Sequence, residues 1–161
     1  MTKQISPVCY LLIGVPGSGK STWIKSQHFD WGRTVVASTD DYVDAEALRQ
    51  GKTYSEIFKD TMPDAVAYMA KTVVDAVKEG KDIIWDQTSV TVPTRAKKFR
   101  MLPANYDVIA VVFRTPDKAE LARRLASRPG KEIPKYVIES MRANWQEPTL
   151  AEGFDQIIYC R

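Results

Sequence analysis

VCYLLIGVPGSGKST, residues Val8–Thr22, decides the fold. Its first part, Val8–Gly14, is an unbroken apolar run of the kind found in strands buried on both faces. The run passes directly into Gly14-Val-Pro-Gly-Ser-Gly-Lys-Ser21, which satisfies G-x-x-x-x-G-K-[ST] at every fixed position. Glycines at this spacing let successive backbone N–H groups turn inward around phosphate oxygens without Cβ clashes. The helix expected next directs its positive end at the same anion. Lys20 then reaches the β- and γ-phosphates, and the Ser21 hydroxyl ligates magnesium. The nucleotide site is therefore expected on Gly17, Ser18, Gly19, Lys20, Ser21 and Thr22, with ATP and Mg2+ as cofactors and Ser21 as the metal ligand.

Outward from this loop, strand-like and helix-like stretches alternate. Thr34–Ser38, Asp82–Trp85, Val108–Phe113 and Gln156–Cys160 repeat the short apolar pattern of the first strand. Between them lie helical stretches at Lys20–Gln27, Ser55–Glu79, Pro93–Leu102, Asp117–Ser127 and Pro134–Trp145. In the longest, Met62, Val66, Met69, Val73 and Val77 share one helical face. Thr61-Met-Pro-Asp64 resembles a capping box, so this helix is expected to start or kink there, and Gly80 to end it. The alternation predicts an α/β fold: a five-stranded parallel sheet with helices on both faces and a helical lid over about residues 121–141.

Composition narrows the setting. The 161 residues are expected to form one domain, 1–161, and the net charge of +3 is mild. Cys9 and Cys160 lack zinc-type spacing and read as buried thiols of a reducing compartment. A single histidine, His28, leaves a carboxylate as the expected general base. No stretch approaches bilayer length, so no membrane partner and a cytoplasmic location are expected.

Two clusters of charge complete the expected site. Asp40 and Asp41 follow the second strand and Asp86 the third, and in a parallel sheet the carboxyl ends of all strands open onto the edge that holds the phosphate loop. Arg123, Arg124 and Arg128 lie on or just past one helix, followed by Pro129-Gly-Lys131, as expected of a lid that closes over ATP. Arg124 and Arg128 are four apart and share a helical face. The chain has no Asn-Lys-x-Asp guanine-reading motif and no transporter-type signature.

These residues together resemble the kinase domain of phage-type polynucleotide 5′-hydroxyl kinases. Pro16-Gly-Ser-Gly-Lys-Ser-Thr-Trp23 is similar to that family's phosphate loop, Asp40-Asp41-Tyr42 to its aspartate-aspartate-tyrosine motif, and Ile83-Ile-Trp-Asp86 with Thr88 to its third-strand motif. Leu121–Met141 resembles its lid. The resemblance implies ATP-dependent phosphorylation of a nucleic-acid 5′-OH end. It implies Asp40 as general base, with Lys20, Asp86 and Arg128 as further catalytic residues. Arg124 and Arg128 are expected on the donor phosphates. One position departs: Val43 stands where the family has an arginine that grips the phosphate 3′ to the acceptor nucleotide, and Arg49, Arg95 and Lys97 are the candidates to replace it. The family's Asp-x-Asp-Gly-Thr phosphatase motif is absent from these residues.

Other readings stay open on the residues alone. One is a kinase of another hydroxyl: a nucleoside, a small metabolite or a hydroxylated base in DNA. Another is a nucleotide-dependent switch with no acceptor chemistry.

Overall fold

The computed structural model describes residues 5–160. Five strands form one parallel sheet: β1 (Val8–Ile13), β2 (Thr34–Ala37), β3 (Asp82–Trp85), β4 (Asp107–Phe113) and β5 (Gln156–Cys160), in the spatial order β2-β3-β1-β4-β5. Cys9 lies opposite Ile83 on one side of β1 and opposite Val108 on the other. From β1 the chain fills one side of the sheet with β2 and β3, then returns to the other with β4 and β5. The crevice at the carboxyl end of β1 is thus the switch point where open α/β sheets bind ligands.

Both sheet faces are covered, which explains the continuous apolar runs. Cys9, Leu11, Ile13, Ile83, Trp85, Ala110 and Val112 point to one face, against Met69, Val73 and Ala76 of α3 (Tyr54–Glu79). Leu12, Ile84, Val111 and Phe113 point to the other, against Trp23 and Ile24 of α1 (Lys20–Ser26). α4 (Val92–Phe99) follows β3, while α5 (Lys118–Ala126) and α6 (Lys135–Ala143) form the lid, with a short 3-10 turn at Leu150–Glu152 before β5. Val15, Val90, Leu121 and Ile138 pack together, fixing the roots of the lid against the phosphate loop and the β3–α4 connection.

Three expectations need correction. The segment after β2, which is absent from the expected helical stretches, is a helix, α2 (Asp40–Gln50). Its face is narrow, only Val43 and Ala47 being buried, so the period was weak. Its end was nevertheless marked: Gly51 takes the left-handed conformation and returns its N–H to Ala47 and Leu48. Second, α3 neither starts nor breaks at Thr61–Asp64. Its capping box is Thr53 with Glu56, and the helix runs through Pro63. The carbonyl that Pro63 leaves without a partner belongs to exposed Lys59, where water can satisfy it. Third, Cys9 is fully buried, its thiol pushed up to about 12 by that burial, but Cys160 is only half-covered on the edge strand.

Candidate active site

The phosphate loop is shaped by its backbone. Gly17 and Gly19 both lie at positive φ, +81° and +107°, where a side chain would strain the chain. At Gly19 nothing lies where a Cβ would go, so the conformation alone demands glycine. At Gly17 the space matters too, since a Cβ would stand 3.0 Å from Leu121 and 3.2 Å from Leu125 of α5. The loop is tied to the β3–α4 connection by the Gly14 N–H, which donates to Thr88 O at 2.9 Å.

Lys20 opens α1 and folds back over the loop, its Nζ donating to the carbonyls of Gly14 and Val15, both at 2.9 Å. Burial pulls its pKa down to about 8; of the neighbouring charges Asp86 acts on it most strongly, then Arg128, then Asp40. Asp86 just past β3, Arg128 in the lid and Asp40 on α2 therefore all lie within electrostatic reach of the ammonium. Asp86 in turn is pushed up, first by burial and then by Asp41 and Asp40, with Lys20 opposing. The Ser18 hydroxyl is buried inside the loop without a hydrogen-bond partner. A cradle of left-handed glycines, an enclosed ammonium and an orphaned hydroxyl fits a polyphosphate.

The residues also fit magnesium. The Ser21 hydroxyl stands exposed in the first turn of α1, with Thr22 beside it. Among the described residues no three Asp, Glu, His or Cys side chains gather into a metal cage. Magnesium needs none, because it keeps several waters and takes the rest of its shell from few protein oxygens plus phosphates.

The lid bears on the loop through α5. Arg124 donates from Nε to Glu120 and from Nη1 to Gly17 O at 3.1 Å, so it already touches the cradle. Arg128 has no carboxylate partner among the described residues, and its charge is felt by both Lys20 and Tyr54. Arg123 is different: it pairs with Glu120 on the outer face and is 73% exposed. Of the three sequence candidates, two face the site and one is a solvated arginine.

On the acceptor side Asp40 and Asp41 occupy the first turn of α2. Neighbouring helical residues project about 100° apart, so backbone geometry does not set the two carboxylates on opposite sides. What separates them is their partners. The Tyr54 hydroxyl, at the start of α3, donates to Asp40 Oδ1 at 2.6 Å, and Lys131 Nζ lies 3.9 Å from Asp40 Oδ2. The Tyr54 hydroxyl is pushed well up, by burial first and by the Asp40 bond second, so it stays a donor. Asp41 has no such donor; partial desolvation and then Asp44 and Asp40 push its pKa up, and its N–H donates to Ser38 Oγ at 3.3 Å. That Tyr54 and Lys131 approach Asp40 has no local trace in the sequence, since Asp40 lies 14 and 91 positions away from them.

Val43 is fully buried between α2 and α3, against Ala47, Ile57 and Ala65. Of its proposed replacements, Arg95 is ruled out: it is 0% exposed and spends its guanidinium on Glu152 and on the carbonyls of Ser89 and Gln146. Arg49 is exposed but paired with Glu46, and Lys97 is exposed on α4.

Parallel order, switch-point crevice, phosphate loop and arginine-bearing lid define the P-loop kinase fold. The chain belongs to the AAA domain family, which it matches over residues 10–148. It is 26% identical over 152 residues to the bifunctional polynucleotide phosphatase/kinase of Schizosaccharomyces pombe, covering 91% of this chain and 32% of that protein. It is also 26% identical over 163 residues to the transcription factor bHLH140 of Arabidopsis thaliana, covering 95% and 16%. The chain thus spans about a third or less of these relatives. Among solved structures it is similar to a chain of the Pnkp1/Rnl/Hen1 RNA repair complex (TM-score 0.64, 24% identity, 88% of this chain and 45% of that one). It is similar as well to a gluconokinase of Sinorhizobium meliloti (TM-score 0.54, 15% identity, 97% and 83%). No helix among the described residues is long and apolar enough to cross a membrane.

Proposed function

We propose that this chain is an ATP-dependent kinase acting on a hydroxyl, and that its acceptor is the 5′-OH end of a DNA or RNA strand met in the cytoplasm. The observation that carries the reading is an oriented carboxylate, Asp40, within electrostatic reach of the loop ammonium of Lys20, which also feels Arg128, an arginine with no carboxylate partner among the described residues. Phosphoryl transfer asks a protein for little more: cations around the moving charge, and a base at the acceptor.

In this reading Asp40 takes the proton of the acceptor hydroxyl. The hydroxyl oxygen bonds to the γ-phosphorus as the bond to the β–γ bridging oxygen breaks, which leaves a phosphate ester and ADP. Gly17, Ser18 and Gly19 hold the donor phosphates through the loop backbone, with Thr22 beside them. Lys20 and Arg128 stabilise the charge that develops on the transferring oxygens, and Arg124 braces the lid on the loop. Asp86 favours the charged form of Lys20, whose ammonium is seated on the Gly14 and Val15 carbonyls. Ser21 would hold magnesium, which neutralises phosphate charge when bound.

A nucleic-acid acceptor is supported by the yeast polynucleotide phosphatase/kinase and by the RNA repair complex. One observation favours a second acceptor, a small alcohol. Val43 faces the protein interior, so position 43 offers no grip on an acceptor phosphate. The gluconokinase likeness is compatible with that reading. Incubation with [γ-³²P]ATP and equal concentrations of 5′-OH oligonucleotides, nucleosides and small polyols separates them. Label on the oligonucleotide is the expected result; label on a nucleoside or polyol alone would replace the nucleic-acid reading with the second one.

A further inference from the structure

The lid does not only cover the donor. Its turn between α5 and α6 reaches across the crevice and is fastened to the start of α3. The Ser55 N–H donates to Gly130 O at 3.0 Å, and the Glu132 N–H donates to Ser55 Oγ at 2.8 Å. Gly130 sits at φ +71° so close to Thr53 that a Cβ there would come within 2.9 Å of the Thr53 Cβ. Between these two ties stands Lys131. Its ammonium lies 3.3 Å from Asp44 Oδ2, 3.9 Å from Asp40 Oδ2 and 4.4 Å from the centre of the Tyr54 ring. A lysine at the tip of a turn is ordinarily solvated, yet this side chain is only 17% exposed.

We propose that Lys131 is a positioning residue that makes the orientation of Asp40 conditional on lid closure. The inference rests on Asp40 being the base. Asp40 has two carboxylate oxygens, and each has a keeper. Tyr54 holds Oδ1 with a hydrogen bond. Lys131 attracts Oδ2 and, by sitting on the Tyr54 ring face, also fixes the group that donates to Oδ1. Without the lysine, Asp40, Asp41 and Asp44 form an acidic cluster on one helix turn whose mutual repulsion turns the carboxylates outward into solvent. The same lid touches the donor cradle at its other end, where Arg124 meets Gly17. The lid thus spans donor loop and base. When it closes on the nucleotide, it sets the base; when it opens, the base is released.

Steady-state transfer of label from [γ-³²P]ATP to a 5′-OH oligonucleotide, or to the nucleoside or polyol if that is the one labelled, should show a specific pattern. Lys131→Met lowers kcat by about 10- to 100-fold, the scale of a misplaced reacting group, and leaves ATP affinity within about twofold. Lys131→Arg, which keeps the charge, recovers most of the rate. In an Asp40→Asn background, adding Lys131→Met costs nothing further, because no base is left to orient. Near-normal turnover of Lys131→Met, failure of Lys131→Arg to recover it, or a full additional loss in the Asp40→Asn background would each overturn the proposal. An Asp40→Asn protein as active as the wild type is a distinct result: it removes the base assignment itself, and with it what Lys131 is said to position.

Discussion

The two sides of the crevice are built on different principles. On the donor side the phosphate cradle lies within one short loop, Gly14–Thr22, and is prepared by covalent neighbours: left-handed glycines, an ammonium seated on the carbonyls of its own loop, and a buried hydroxyl. On the proposed acceptor side Asp40 is 54% exposed, accepts a hydrogen bond from Tyr54 in another helix and lies 3.9 Å from Lys131 in the lid. The donor cradle is shaped by its own backbone. The acceptor site is assembled from three elements, one of which is the part of the fold expected to move. Damage to the donor side should therefore remove all nucleotide chemistry, whereas damage to the acceptor side should spare nucleotide binding.

The broadest effect falls on the donor side, where both binding and transfer depend on the loop. Lys20→Ala and Ser21→Ala are each expected to lower the transfer rate by about 10²–10³, the usual cost of losing a group that stabilises developing charge. Steady-state kinetics at saturating ATP would read it. Wild-type rates in either variant would mean that the loop is not where transfer occurs.

Arg128 tests the boundary between the two sides. Arg128→Ala should lower kcat by about 10² while changing ATP affinity little, if the guanidinium acts on the transition state more than on the ground state. Equal losses in kcat and in ATP binding, measured by calorimetry, would make it a donor-binding residue only.

Lys20 also gives the donor side a pH signature. Burial lowers its pKa to about 8, so the free protein loses this charge above that pH. Phosphate oxygens favour the charged form, and binding at higher pH must therefore take up a proton. The ATP dissociation constant should be flat below about pH 8 and rise by up to about tenfold per unit above it. Lys20→Met should abolish the dependence. The sign for folding agrees: a depressed lysine pKa means the unfolded chain binds the proton more tightly, so this group's contribution to stability improves as pH rises from about 8 toward its ordinary value.

The smallest effect on activity is expected at Val43. Val43→Ala opens a gap between α2 and α3 and should cost about 1–3 kcal/mol of folding stability, read by denaturant unfolding, with turnover per folded molecule within about twofold. A selective collapse of activity toward nucleic acid would instead mean that position 43 touches the acceptor.

The same contrast explains what the sequence disclosed. The five strands and the phosphate loop were legible because their signals are local: apolar runs buried on both faces, and glycines at fixed offsets. α2 was missed because a helix that buries only Val43 and Ala47 leaves almost no periodic trace. The capping box of α3 was sought at Thr61 because Pro63 suggested a first turn there, but the box at Thr53–Glu56 starts the helix earlier. Arg95 looked like a free cation and is a buried strut tying Ser89 and Gln146 to Glu152. Asp40 and Asp86 could be placed at the site by topology. That Tyr54 and Lys131 attend Asp40 could not, since nothing local in either residue records a partner brought near only by folding.

The central claim is that Asp40 is the base of a hydroxyl kinase whose nucleotide is held independently across the crevice. It is tested most directly by transfer of label from [γ-³²P]ATP under saturating donor and acceptor, with wild type, Asp40→Asn and Asp41→Asn side by side and ATP affinity measured on each. The account predicts labelled acceptor from the wild type, a loss of about 10²–10⁴ in Asp40→Asn with ATP affinity nearly intact, and a milder loss in Asp41→Asn. An active Asp40→Asn beside a dead Asp41→Asn, or a wild type that labels no hydroxyl acceptor at all, would contradict it.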